Sequence, residues 1–432
     1  MNALAIIGLI VAMVLMVVLA MKGIHVLAIA LICSAILAAT SGLNVYNALA
    51  EQYMPAFSNF VTNYFLIFLS GSLFGSFMAF SHASDAIANW IVKKMGPSKA
   101  PLAVILSGFV LTYGGVSVHV VCFTLFPLAL SIFKEADLPR SMLPGTLAFG
   151  TITFAMTTPG TPQIQNLIPA QALGTSPTAG AVVGIIAGVF MFVVGYIMIK
   201  RMFAAREAKG EHYDAREGDM VGTIPEEELP NVVFSFIPLI LTIVLLNFAK
   251  LPVFYAILIS IVVGMVLMRN TFSWKRTPAA FADGAGKAII AICNTSAVVG
   301  FGGVMKSVPL FTTITNAMAH IPGPALVGAA LAVTIICGLC GSASGGLGIA
   351  LPIVGPQYIE MGVAPAALHR VCSIASGALD SVPHNGFVVT LLTLCGETHK
   401  DAYMPIFWLT VVLPFAATAL AIGLFQMFPG LP

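Results

Sequence analysis

"SGALDSVPHNG", residues 376–386, interrupts an apolar run with an acid, an imidazole, an amide, a proline and two glycines. A first-half stretch, "TTPGTPQIQN" at 157–166, sets Thr, Gln and Asn around Pro159 and Pro162. Proline has no N–H and clashes with the preceding turn, so each stretch should unwind a helix. The surroundings give this meaning. The chain has 432 residues, is 59% hydrophobic and only 8% charged, with a mean hydropathy of +0.99. An ordinary soluble domain carries about 25% charged residues. Apolar stretches of membrane-crossing length recur along the chain, and the alternation of a β-barrel is missing. The net charge of +2 is set by a few loop residues. The reading is an all-α polytopic membrane protein. Crossings are expected near 3–20, 24–41, 61–80, 101–113, 115–133, 141–158 and 178–199, then near 232–248, 252–268, 285–305, 323–338, 345–360, 366–380 and 404–428. The first run, Ala3 to Ala20, is followed by Lys22 and preceded by no basic region, so it reads as an uncleaved crossing and not a secretory signal.

Segment 200–230 holds 13 of the 36 Asp, Glu, Lys and Arg residues and reads as a charged cytoplasmic linker. It divides residues 1–199 from residues 231–432, and the two parts echo each other. "FGSFM" at 74–78 matches "FGGVM" at 301–305, at an offset of 227. Pro127 and Pro352, Pro139 and Pro365, and Pro159 and Pro383 follow at offsets of 225, 226 and 224. The near-constant offset reads as a duplicated unit. Basic residues favour the cytoplasmic side. Lys200, Arg201, Arg206 and Lys209 in the linker, with Arg269, Lys275 and Arg276, start the second unit inside. If Lys22 is also cytoplasmic, the first unit starts outside. The expected fold is therefore two inverted-topology repeats with re-entrant hairpins and broken transmembrane helices.

Non-helical backbone at membrane depth is tolerated only when buried in protein or lining a watery cavity, so the breaks mark the site. "TYGGVSVH" at 112–119 and "CGSASGGLG" at 340–348 read as hairpin tips, and the two proline stretches as unwound crossings. Each break exposes N–H groups at the positive end of the next half-helix. Four such ends could hold an anion without any arginine. The plainer reading is that small residues let helices pack closely; it fits one cluster better than four in duplicated positions. The expected anion-binding residues are Ser117, His119, Thr157, Thr158, Gly160, Thr161, Gln163, Asn166, Ser342, Ser344, Gly345, Gly346, Ser381, His384 and Asn385. Asp380 is expected to be the most deeply placed acid. Three roles are open to it: proton carrier, ligand to a co-transported cation, or structural cap of a half-helix. His384 could share the coupling role, since imidazole titrates near neutrality. His369 and Arg370, just after Pro365, read as membrane-surface anchors.

Other chemistry is missing from the sequence. Seven scattered cysteines make no disulfide framework, and Cys337 with Cys340 reads as a pair of quiet buried thiols. There is no GxxxxGK[ST] loop, HExxH, GxSxG elbow or basic stripe. The expectation is a protein with no enzymatic activity, cofactor, metal or nucleic-acid partner.

"SGALDSVPHNGFVVTLLTLCG" (376–396), "GSASGGLGIALP" (341–352) and "TTPGTPQIQN" resemble the gluconate permease (GntP) family of bacterial symporters. Its members include permeases of 3-hydroxybutyrate and related short hydroxy acids. The resemblance covers essentially the whole chain and is most specific at 376–396. It implies the ion transporter superfamily architecture: inverted repeats, usually in a homodimer, with an elevator-like moving domain. It also implies an inner-membrane carrier that couples uptake of a small organic anion to a cation gradient, most often protons. The surroundings are poor in extra Asn, Asp and Arg for a polyol, which favours a short hydroxy monocarboxylate such as 3-hydroxybutyrate or lactate over gluconate. Rival readings are a cation/proton antiporter using Asp380, a sodium-coupled di- or tricarboxylate carrier, and an intramembrane enzyme or scaffold subunit.

Overall fold

The computed structural model describes residues 3–22, 24–215, 224–270, 277–308, 323–383 and 385–431. The described residues are helical, with no strand among them. The first part comprises α1 (Ala3–Met21), α2 (Val26–Thr40), α3 (Val45–Phe80), α4 (Ala83–Met95), α5 (Ala100–Tyr113) and α6 (Val118–Glu135). Then come α7 (Leu143–Ala148, continued by a π-helical turn Phe149–Thr153), α8 (Ile164–Leu173) and α9 (Ala181–Glu207). The second part comprises α10 (Val232–Asn247), α11 (Val253–Leu267), α12 (Thr277–Ser307), α13 (Ala325–Cys340) and α14 (Ala343–Glu360). It ends with α15 (Pro365–Ser376), α16 (Gly386–Cys395) and α17 (His399–Met427). Among the described residues, five helices are long and apolar enough to cross a membrane: α3, α6, α9, α12 and α17.

The element order repeats. A two-helix pair (α1–α2; α10–α11) precedes a long helix (α3; α12) and then a tight helix–turn–helix (α5–α6; α13–α14). A broken helix (α7–α8; α15–α16) and a long closing helix (α9; α17) follow. The proline landmarks take matching places. Pro127 and Pro352 lie inside α6 and α14, and Pro159 and Pro383 lie in the two breaks. Pro139 precedes the turn that starts α7, and Pro365 opens α15.

The FG motifs have a packing reason. A Cβ at Gly75 on α3 would touch Val120 and Ser117 of α6, and one at Gly302 on α12 would press on Ile349 of α14. Each glycine lets the second hairpin arm lie close against its long helix. Contacts across the two parts also exchange: α8 packs on α14 and α15, while α16 packs on α6 and α7. The helices α3 and α12 lie against each other at the centre, with α2 on α12 and α11 on α3. Apolar side chains left outward, such as Ile7, Val14, Ile185, Val189, Val262 and Val266, are stable where the surroundings are lipid.

Some boundaries differ from expectation. Helix α4 lies where the sequence pattern shows no crossing, because Ser84, Asp85, Asn89, Lys93 and Lys94 dilute its apolar signal. It bends by 102° into the helix that follows. Helix α9 runs to Glu207, so the first residues of the charged segment are helical. Helices α3 and α12 are longer than expected, starting at Val45 and Thr277. Beyond α9 the linker is fastened to the turn after α6. Asp137 Oδ1 accepts from the Tyr213 N–H at 3.1 Å, and its Oδ2 lies 2.8 Å from His212 Nδ1.

Candidate functional site

The first break spans the turn residues between Thr153 and Ile164, where Pro159, Pro162 and Gly160 at φ +85° deny the backbone a helix. Its side chains tie it to the hairpin tip between α5 and α6. Gln163 Nε2 donates to Thr112 O at 2.7 Å and Val116 O at 3.1 Å, and Thr161 Oγ1 donates to Tyr113 O at 3.1 Å. In return, Tyr113 OH donates to Pro159 O at 2.9 Å. The carbonyls of Thr112 and Tyr113 at the end of α5, and of Val116 in the tip, thereby gain amide and hydroxyl donors. Gly115, at φ +106°, lets the tip turn against Pro162. Thr158 Oγ1 bonds its own turn at Phe154 O, and Asn166 Nδ2 donates to Thr158 O. The carbonyl of Gly160 accepts from Asn247 Nδ2 of α10 at 2.8 Å. Thr157 is buried, and its Oγ1 and the neighbouring Gln165 Oε1 have no partner among the described residues.

The second break is built alike with different residues. Asn385 Nδ2 donates to Gly341 O at the tip between α13 and α14, at 2.9 Å, and to Asp380 Oδ1 at 3.1 Å. Asp380 Oδ1 also accepts the N–H of Ala343, the first residue of α14, at 2.7 Å. Ser342 caps the same helix through Gly345 N–H and lies 3.2 Å from the Ser344 hydroxyl. Gly346 sits where a Cβ would meet Cys337 Cα at 2.5 Å, so the hairpin arms close tightly. Ser381 is buried, with its carbonyl accepting from Tyr403 OH at 2.9 Å. His384 and the side chain of Cys340 lie outside the described residues.

The four half-helix starts are therefore not equivalent. The start of α14 already holds the carboxylate of Asp380. The start of α8 has no side-chain cap, and its Ile164 and Gln165 N–H groups have no acceptor among the described residues, while Gln163 itself is tied to the α5–α6 tip. The first N–H groups of α6, at Val118, His119 and Val120, and of α16, at Gly386 and Phe387, have no acceptor among the described residues. These two starts, one from each part of the chain, adjoin: the rings of His119 and Phe387 meet edge to face at 5.5 Å. His119 and Gly386 are exposed, and Ser117 is half-buried beside them. Two positive helix ends, with N–H groups that have no acceptor among the described residues, thus lie side by side.

Three expectations are corrected. Arg370 is no surface anchor; it is fully buried, the largest such side chain described. From α15 it reaches into the first part and donates to Thr157 O, Asn166 Oδ1 and Pro177 O, and twice to Ala179 O. His369, equally buried, bonds Thr175 Oγ1 through Nδ1 at 2.7 Å. The breaks thus have an arginine behind them, contrary to the expected arginine-free site. An arginine in an apolar helix is itself a functional marker, and that signal was available in the sequence. A second acid, Glu397, is also buried and faces the buried Arg140 at 3.6 Å. Arg140 also caps the end of α16 through Cys395 O. Sequence reasoning missed Asn247, which lies in no motif, and Tyr113, which lies in the 112–119 motif but was not singled out there.

A family model of GntP family permeases matches residues 4–379. The chain belongs to the GntP permease family. An uncharacterized transporter of Bacillus subtilis, YxjC, is 33% identical over 447 residues, covering 93% of this permease and 94% of the relative. An uncharacterized transporter of Haemophilus influenzae is 22% identical, covering 76% of each. Among solved structures, the Alcanivorax borkumensis YdaH transporter superposes with a TM-score of 0.63 at 15% identity, over 88% of both chains. MtrF of Neisseria gonorrhoeae superposes with a TM-score of 0.54 at 14% identity, over 89% of this chain and 84% of that one. These likenesses share the fold: this GntP permease is a multi-pass helical membrane transporter.

Proposed function

We propose that this permease is a secondary active symporter of the bacterial inner membrane. It couples uptake of a small hydroxy monocarboxylate, such as 3-hydroxybutyrate, lactate or gluconate, to a cation gradient, with the proton as the coupling ion. The supporting observation is the meeting of the α6 and α16 starts at His119 and Phe387, where uncommitted N–H groups await an anion. The hydroxyls of Ser117, Ser342 and Ser344 supply further donors around the carboxylate and its hydroxyl neighbour.

Asp380 serves as the proton carrier. Its Oδ1 caps α14 while its Oδ2 has no donor among the described residues, which leaves an atom for the proton without breaking the cap. A proton there cancels the fixed negative charge as the anion arrives, so the loaded site carries no added charge across the bilayer. The matching element order and exchanged contacts support two inverted repeats. In this reading, the hairpins and broken helices slide as one body against α1–α3 and α10–α12, within a homodimer.

The test is uptake into proteoliposomes under an imposed proton gradient. Asp380→Asn keeps the Oδ1 acceptor and the cap, so the protein stays folded and substrate exchange persists, while accumulation against a gradient is lost. Wild-type accumulation by Asp380→Asn refutes its coupling role. Sodium–proton exchange without any organic anion refutes the symport reading.

A further inference from the structure

We infer that a second cleft, on the outer side of the first break, is a loading vestibule for the carboxylate substrate; this rests on the symport reading. The cleft has a volume of about 490 Å³ and lies between the α8–α9 loop and the α10–α11 loop. Helix α9 runs into the charged linker and α10 runs out of it, so both loops lie on the membrane face opposite the linker. With the linker cytoplasmic, the cleft opens outward.

Its chemistry suits a hydroxy carboxylate. Lys250 is the one charged residue of the lining, is exposed, and has no ion pair among the described residues. It sits at φ +53°, at the end of α10. The hydroxyls of Ser176 and Thr178 lie in the same lining. Asn247, also in the lining, holds Gly160 O and Ile243 O through its Nδ2, while its Oδ1 is buried away from the cleft. A carboxylate would pair with Lys250 and a β-hydroxyl with the exposed hydroxyls of Ser176 and Thr178. The comparable cleft at the linker face, about 480 Å³, differs, since its Lys93 is tied to Glu226.

The cleft also leads somewhere. Its lining residues hold the first break from two sides: Asn247 bonds Gly160 O, and Pro177 O accepts the Gly160 N–H at 3.0 Å. Behind Pro177 O lies the Arg370 guanidinium, 3.1 Å away, whose bonds go only to neutral oxygens. Arg370 thus adds a second fixed positive charge behind the wall of the cleft. Low-dielectric walls of one sign concentrate an oppositely charged solute.

The test introduces Ser176→Cys, at an exposed position, and compares labelling by anionic and cationic methanethiosulfonates at low ionic strength. The anionic reagent should react faster, 3-hydroxybutyrate should slow it more than butyrate does, and Lys250→Gln should reduce the preference roughly threefold or more. Labelling indifferent to reagent charge and to Lys250→Gln overturns the vestibule. In proteoliposomes, Lys250→Gln should raise the KM for external 3-hydroxybutyrate by a similar factor and leave the maximal rate unchanged. Uptake by the wild type with an unaltered KM in the variant overturns the vestibule but leaves the symporter standing. A wild type that moves no carboxylate overturns the symporter, while the labelling still decides the cleft.

Discussion

Arg370 shows how a single side chain binds the two parts of the chain together. All five of its guanidinium donors are used, and every acceptor is a carbonyl or amide oxygen of the first part. Removing the side chain strands buried acceptors, at about 1–3 kcal/mol for each left unsatisfied. Arg370→Ala should therefore lower the unfolding temperature in detergent by several degrees or prevent folding. Arg370→Lys, with three donors and no planar fork, should recover only part of that loss. Equal melting temperatures for the wild type and Arg370→Ala would contradict this role. Asp380 and Asn385 were legible in the sequence because polar groups are rare in apolar segments. Their division of labour was not, since it depends on where Gly341 and Ala343 fall in space. Outside the membrane, Asp137 is held below the usual carboxylate range by the Tyr213 N–H and by His212. A carboxyl with a depressed folded-state pKa stabilises above its unfolded pKa, and that contribution disappears as pH falls through the folded value. Proteolysis near residues 208–215 should accelerate below about pH 4, where unperturbed carboxyls protonate; Asp137→Asn should show that faster cleavage already at neutral pH.

The hairpins and broken helices are set by glycine and proline, which is why their existence could be read from the sequence. The motifs at 112–119, 157–166, 340–348 and 376–386 all fall on turns or half-helix starts. The sequence could not say which start was already occupied, because the bond that fills the α14 start joins Asp380 to Ala343, 37 positions apart. The tightness of the second hairpin gives a separate test. A methyl at Gly346 would meet both Cys337 Cα and Sγ, so Gly346→Ala must part the arms. Overpacking of this kind costs about 1–3 kcal/mol. The expected result is a lower melting temperature that Cys337→Ala does not fully restore, since backbone is also in the way. Full restoration would place the conflict at the sulfur alone.

For the molecule as a whole, duplicated landmarks, exchanged helix contacts and paired arginines make a bundle whose two parts brace each other. Arg140 reaches the end of α16 and Arg370 the loop after α8. The order of the long apolar helices was visible as composition. Helix α4 was not, because its polar residues hide a bent hairpin arm among short apolar runs. The central claim is that the free starts of α6 and α16 together hold the substrate carboxylate. It is tested most directly by labelling cysteines introduced at His119 and Gly386, with and without 3-hydroxybutyrate, lactate or gluconate at saturating concentration. The transported anion should slow the reaction at both positions. Equal rates with and without an anion that the same proteoliposomes accumulate would contradict the account.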